Sequence, residues 1–183
     1  MEFKEYKLGD IATIVNGSTP STNCPQYYDG NIIWITPKDL SEQKSKFITK
    51  GNRNITIEGY NSCSTQLIPA HNILLTSRAP IGLIAINDVE CCTNQGFKNI
   101  IIDTQIADVE YLYYYLKYHI KEIEKLGTGT TFMEVSKSSL EHYKISIPKL
   151  DIQKKNSLVL SLIDRKISLN KQINQNLYSV SYM

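Results

Sequence analysis

Short apolar runs separated by turn residues occupy positions 1–105. Ile11 to Val15 is apolar and ends at Asn16-Gly17, a turn signal. Tyr28-Asp29-Gly30-Asn31 reads as a second turn, followed by a strand at Ile32-Ile33-Trp34-Ile35. Pro37 either stops that strand or opens a helix, because proline lacks a backbone donor and is best tolerated in a first helical turn. Ile73-Leu74-Leu75 and Leu83-Ile84-Ala85-Ile86 flank Pro80-Ile81-Gly82, and Ile100-Ile101-Ile102 closes the region. Short strands at this spacing favour a curved, mostly antiparallel sheet or an irregular barrel over βαβ units.

The period then changes. Val109, Leu112, Tyr113, Leu116, Ile120 and Ile123 recur at helical steps and predict an amphipathic helix over 107–125. Asp108 and Glu110 near its start and Lys121 and Lys125 near its end suit the helix dipole, and Gly127 is placed to end it. A polar loop follows at 127–131. Ser136 or Ser138 is expected to cap a short helix, and Tyr143 to Ile147 reads as a strand ended by Pro148.

Residues 151–183 contain no Gly or Pro and predict one long helix, with Asp151 as its expected N-cap. Leu160, Ile163, Ile167, Asn170, Ile173, Leu177 and Val180 follow steps of three and four, a near coiled-coil seam with one polar member, Asn170. About 30 residues at 1.5 Å each give about 45 Å. So long an apolar stripe exceeds what its own domain can cover and calls for a partner helix. The expected architecture is α+β: an irregular, curved, mostly antiparallel β-domain with a packed amphipathic helix over 1–150, then a long coiled-coil helix over 151–183.

The composition is that of an ordinary globular chain, with 42% hydrophobic and 21% charged residues among 183. No apolar run reaches the roughly 18–20 residues needed to span a bilayer, and the start Met1-Glu2-Phe3-Lys4-Glu5 has no apolar signal region. A soluble cytoplasmic protein without a membrane partner is expected. The net charge of +2 conceals a split: residues 1–150 carry 15 Lys/Arg against 16 Asp/Glu, net −1, and 151–183 carry 5 against 2, net +3. Cys24, Cys63, Cys91 and Cys92 lack metal-ligand spacing and are expected to be free thiols, the adjacent pair pointing to opposite faces of a strand.

Catalytic motifs are missing. Pro37-Lys38-Asp39 with Glu42-Gln43-Lys44 has the residue types of a metal nuclease, but too tight a spacing to join two strands. Gly127-Thr128-Gly129-Thr130 follows a helix rather than a strand and lacks the third glycine of a cofactor loop. No metal site or cofactor is therefore expected. What remains is chemistry suited to nucleic acid. Residues 36–78 hold Lys38, Lys44, Lys46, Lys50, Arg53 and Arg78 against Asp39, Glu42 and Glu58, net +3. Arg pairs bidentately with guanine, and Asn or Gln with adenine, which marks Arg53, Asn94 and Gln95. Lys38 and Arg78 suit base or phosphate contact, and Thr128 and Thr130 offer donors to phosphates. An arginine placed after a strand, as Arg78 is, also commonly pairs with a local carboxylate, and Asn94 and Gln95 also suit the shaping of a turn. The rival readings are a DNA nuclease or methyltransferase with a fused recognition domain, and a purely protein- or carbohydrate-binding β-domain.

An ordered set of motifs resembles a known family. Leu8-Gly9-Asp10-Ile11, Gly17-Ser18-Thr19-Pro20, Tyr28-Asp29-Gly30 and Trp34-Ile35-Thr36-Pro37-Lys38-Asp39-Leu40 resemble the start of a target-recognition domain of type I restriction–modification specificity subunits. The likeness continues through Leu67-Ile68-Pro69, Ser77-Arg78-Ala79-Pro80-Ile81-Gly82, Thr93-Asn94-Gln95-Gly96-Phe97, the Tyr-rich helix at 111–118, Gly127-Thr128-Gly129-Thr130 and Ile147-Pro148. The resemblance implies a non-catalytic subunit that reads half of a bipartite site in double-stranded DNA and docks methyltransferase (M) and restriction (R) subunits. Such subunits usually carry two recognition domains and two long helices, and this chain carries one of each. It is expected to be a half-subunit, or a truncated piece of a two-domain subunit, that rebuilds the arrangement as a homodimer through Leu160, Ile163, Ile167, Asn170, Ile173 and Leu177. The family's Pro-x-x-Glu-Gln entry to the long helix is altered: Pro148 and Gln153 are kept, and Ile152 replaces the Glu.

Overall fold

The computed structural model describes residues 2–43, 45–129 and 133–180. In chain order it contains β1 (Phe3–Lys7), α1 (Leu8–Ile11), β2 (Ala12–Asn16), a single 3₁₀ turn (Pro25–Tyr27), β3 (Tyr28–Ile35), α2 (Pro37–Glu42), β4 (Phe47–Ile48), β5 (Arg53–Ile55) and α3 (Ile57–Asn61). There follow β6 (Asn72–Thr76), β7 (Ile84–Asn87), β8 (Cys92–Thr93), β9 (Phe97–Ile102), α4 (Val109–Tyr118), α5 (Ile120–Glu124), α6 (Lys137–Glu141), β10 (Lys144–Pro148) and α7 (Leu150–Val180).

The central sheet has five strands in the order β2-β9-β6-β7-β4, antiparallel except for the short β4–β7 pair. A smaller sheet, β5-β3-β8, lies beside it, and β1 pairs with β10 to bring the two ends of the domain together. Alternation along the central strands creates two cores. Ile14, Ile73, Leu75 and Ile100 face a layer holding Leu112, Leu116 and Ile123. Their neighbours Val15 and Leu74 face the other way, onto Ile35, Leu40, Ile48 and Phe97. The period of two along a strand makes one sheet serve both layers. The fold is thus α+β, with antiparallel sheets, a packed helix and a long terminal helix.

Several local expectations are corrected. Residues 28–31 do not turn. They bulge within β3, where the register with β5 shifts between Tyr28 and Ile32 and Asp29 adopts φ +63°. Ile11 ends a one-turn helix instead of starting a strand. The predicted 107–125 helix is two, α4 and α5, broken at His119 (φ −92°, ψ 17°). Pro37 opens α2 at its first position, and Thr36 and Asp39 close a capping box around it. Ser136 caps α6 by accepting from Ser139 N at 2.9 Å. Asp151 is not an N-cap: Lys149 O already accepts from Ile152 N and Gln153 N, so Asp151 lies in the first turn. Cys91 and Cys92 point to opposite sides, into the second core and the small-sheet cluster respectively. Burial pushes their thiols up to about 12 and about 11, so both stay protonated and unreactive.

The long helix is seated by one side chain. Gln153, 1% exposed, accepts from Asp108 N at 2.9 Å and donates to Ile106 O at 3.2 Å and Pro148 O at 2.8 Å. It thereby ties α7 to the start of α4 and the end of β10. Replacing it leaves these backbone groups unpaired at a buried site, at about 1–3 kcal/mol for each group so stranded. Gln153→Leu is expected to lower the urea midpoint sharply with little change in m-value. Gln153→Glu is expected to do the same, because a carboxylate cannot donate to the two carbonyls.

Candidate nucleic-acid interface

The candidate contact residues gather around the turn at 94–97. Gly17 is the first condition for this. A Cβ there would stand 1.9 Å from Asn94 O and 2.3 Å from Thr93 Oγ1, so only glycine allows the 17–20 loop to lie against the turn. Ser18 N donates to Thr93 O at 2.9 Å, and Asn94 N donates to Ile35 O at 3.0 Å. Trp34 Nε1 and Tyr28 OH then hold the loop from the small sheet by donating to Ser18 O (3.2 Å) and Pro20 O (2.7 Å). Asn94 is half-buried, and its Oδ1 accepts from Gly96 N at 2.9 Å, which closes the turn. Gln95 is exposed at the apex and accepts a hydrogen bond from the Thr19 hydroxyl.

Two other segments converge on Gly96. On one side stands Pro37, whose Cγ lies 3.1 Å from where a Gly96 Cβ would be, so Lys38 emerges beside the turn. Lys38 is exposed, with only a loose 3.9 Å pair to Glu42. Behind it, Asp39 accepts from Thr36 N (2.7 Å), Thr36 Oγ1 (2.6 Å) and Asn52 N (2.8 Å), and so fixes the 49–52 loop next to the helix start. On the other side, Ser77 N donates to Gly96 O at 2.7 Å and places Arg78 at the same rim.

Arg78 belongs to an ion network that sequence reasoning saw only from one side. Glu134 accepts from Arg78 Nε at 3.0 Å and from Lys98 Nζ at 2.9 Å, and its backbone exchanges two 3.0 Å hydrogen bonds with Thr128. The carboxylate thus clamps the 127–129 segment to the ends of β6 and β9. Asn16, Lys98, Thr128, Glu134, Ser136 and Lys137 line a cavity of about 460 Å³ beside it. Lys98 and Glu134 were missed as site residues. The available signal was a lysine and an asparagine inside the otherwise apolar run Phe97-Lys98-Asn99-Ile100.

The structure therefore brings Lys38, Asn94, Gln95, Arg78 and Thr128 onto one rim. Arg53 stands apart, on β5. Its guanidinium lies 3.9 Å over the Tyr28 ring, and its Nε is 3.3 Å from Asp29 Oδ1. Its neighbours link it to the rim: Tyr28 holds the 17–20 loop, and Asn52, which precedes it, is bound by Asp39 on α2. Thr130 lies outside the described residues. Lys46, part of the basic stretch read from the sequence, points inward to Glu110 on α4.

Burial alone would raise the Glu134 carboxyl, but the hydrogen bonds and charges of Lys98 and Arg78 outweigh it and hold it below its ordinary value of 4.5. A depressed folded value means the clamp's stabilisation is complete above about pH 4.5 and is lost as pH falls through the lower value. The stability difference between wild type and Glu134→Gln is expected to be constant at neutral pH and to shrink below pH 4.5. Urea unfolding across a pH series measures it.

Residues 1–178 match the family described as the type I restriction modification DNA specificity domain. The chain is 41% identical over 177 residues to the MjaIX type I restriction enzyme specificity subunit of Methanocaldococcus jannaschii, covering 96% of this chain and 41% of that one. It is 29% identical over 170 residues to the HindI specificity subunit of Haemophilus influenzae, covering 88% and 35%. The HsdS subunit structure from Thermoanaerobacter tengcongensis superposes with a TM-score of 0.69 at 20% identity over 93% of this chain and 39% of that one, a likeness of fold. The chain spans about two-fifths of the length of these relatives.

Proposed function

Since the chain belongs to the family of type I restriction–modification DNA specificity domains, we propose that residues 1–150 form a target-recognition domain that reads one half-site of double-stranded DNA. Residues 151–183, of which 181–183 lie outside the described residues, are the spacer and dimerisation segment, built on α7. The chain carries out no catalysis itself and acts with methyltransferase and restriction subunits. The single observation that carries this reading is the convergence of Lys38, Gln95 and Arg78 on one exposed rim in a chain whose family match runs through residue 178.

Within that rim Gln95 presents an exposed amide to a base edge, and Asn94 holds the turn that aims it. Lys38 meets a phosphate, Arg78 a base or a phosphate, and Thr128 a phosphate. Arg53, stacked on Tyr28, contacts the duplex from the side of the small sheet. With the domain at net −1, binding by the chain alone is weak and is strengthened by methyltransferase subunits enclosing the duplex. The test is selection from random duplexes, with and without the methyltransferase subunit. Gln95→Ala is expected to relax one position at a cost of about 1–3 kcal/mol. Lys38→Ala is expected to weaken all sequences alike and lower the salt slope by about one unit. Unchanged affinity, within twofold, when Lys38, Arg53, Arg78, Asn94 and Gln95 are all alanine would overturn the assignment.

The helix supports the dimer. Leu160, Ile163, Ile167, Ile173 and Leu177 are all exposed on α7, and Asn170 lies exposed between them. An isologous pair buries the same stripe on both chains and sets two recognition domains on an inverted repeat. Asn170 pairs across the seam and fixes the register. Leu158, Leu162 and Leu169 form a second exposed stripe, at steps of four and seven, which a methyltransferase subunit would cover. Sedimentation at micromolar concentration should give a dimer, and Ile163→Asp with Ile167→Asp should give a folded monomer.

A further inference from the structure

Lys46 is a cation the DNA reading does not use, and it is nearly enclosed, its side chain 10% exposed. It precedes β4, the edge strand of the central sheet, and its own carbonyl is fixed by Ile86 N at 2.8 Å. From there Nζ donates to three side chains on two helices: Glu110 Oε2 (2.6 Å) and Tyr114 OH (3.1 Å) on α4, and Ser161 Oγ (2.7 Å) on α7. The network closes on itself, because Ser161 Oγ also donates to Glu110 and Tyr114 OH donates to Asp164 Oδ2 at 2.7 Å. Burial would lower the lysine's proton affinity, but Glu110 and Tyr114 more than offset that and keep it charged.

The position of this network along α7 gives it a role. Gln153, Ser157, Ser161 and Asp164 recur at steps of four, four and three and form the face turned to the domain, with Gln153 and Ser157 buried. After Asp164 every residue to 177 is exposed. Ser161 and Asp164 therefore tether α7 where it leaves the surface of the domain. Gln153 fixes where α7 starts. A rod held at one end can still swing, and the second hold, two to three turns further on, removes that freedom. Directional hydrogen bonds to a charge suit the task better than apolar packing, which tolerates sliding.

We propose that Lys46 is a spacing determinant: it locks the angle at which the long helix leaves the recognition domain, and so sets the separation and rotational phase of the two half-sites. The part of the helix beyond the joint, 164–180, is about 24 Å long at 1.5 Å per residue. A swing of about 10° at the joint moves its far end by about 4 Å, on the order of the 3.4 Å rise of one base pair. A two-fold dimer applies that error twice. Spacer length is thus selected by a lysine on a sheet edge that touches no DNA. This inference rests on the half-site dimer reading above.

The test uses the full chain, with Lys46→Met to keep the stem and remove the charge, and Ser161→Ala with Asp164→Ala to cut the tethers on the helix surface alone. Lys46→Met with Glu110→Gln relieves the carboxylate left without its cation and guards against a variant that merely unfolds. Two readouts are taken: amide hydrogen exchange, and selection among inverted repeats with spacers varied one base pair at a time, run with the methyltransferase subunit. Wild type should choose one spacer length. The variants should spread over two or more lengths, bind an isolated half-site within twofold of wild type, and exchange amides of 158–165 at least tenfold faster with β6 and β9 unchanged. Unchanged exchange across 158–165 overturns the joint. Faster exchange with a single retained spacer overturns its role in spacing. If wild type itself selects no spaced repeat, the half-site dimer reading fails and the spacing role falls with it, while the exchange data still decide whether the joint exists.

Discussion

The buried amide of Gln153 is where the domain and its helix become one object. It accepts from Asp108 N and donates to Ile106 O and Pro148 O, so that the start of α4, the end of β10 and the first turn of α7 share one set of hydrogen bonds. Each of those backbone groups would otherwise be buried without a partner, at a cost comparable to a lost hydrogen bond. Everything further along α7 inherits this seat. Ser157 and Ser161 come round to the domain because Gln153 has fixed the helix's rotation, and only then can Ser161 and Asp164 reach Lys46 and Tyr114. The apolar stripe that starts at Leu160 is left facing outward for the same reason.

A second meeting of distant segments organises the exposed polar rim. Gly96 receives Ser77 on one side and Pro37 on the other, and the loop after Gly17 lies on the adjoining Thr93 and Asn94. The loops at 17–20, 49–52 and 127–129 are thus braced by bonds deeper in the fold. Asp39 braces 49–52, Trp34 and Tyr28 brace 17–20, and Glu134 braces 127–129. This is the design expected of a binding surface in which loops supply the chemistry and sheets supply the rigidity.

On the reading proposed above, the rim and the joint on α7 divide the labour between reading and measuring. The rim would read the bases of a half-site through Gln95, with Lys38 held on a phosphate. The joint at Lys46 and the length of α7 would then set how far away the other half-site lies, and affinity for one half-site and preference for a spacer would be separable properties of one short chain.

The sequence by itself determined the alternation that builds the central strands, the three- and four-residue steps of both helical regions, the stripe from Leu160 to Leu177, and the ordered motifs that identify the family. These are local patterns, and local geometry suffices to read them. It also named Lys38, Gln95 and Arg78, which the fold brings to one exposed rim. It named Lys38 and passed over Lys46, two lysines of the same basic stretch, but could not show that one lies in solvent and the other is enclosed. Nor did it assign Asn94 to closing a turn, Glu134 to joining Arg78 with Lys98, or the break in the helix at His119. It gave no sign that the polar segment Phe3–Lys7 would pair with β10 across the whole domain. The reason is common to all but the helix break and Asn94, whose partner Gly96 N is two residues on. A buried or braced polar group is defined by its partner, and the partners lie far away along the chain: Glu110 is 64 residues from Lys46, Ser161 is 115, and Gln153 is 45 from Asp108. Only the tertiary fold, by closing those loops, decided which charges face solvent and which hold the protein together.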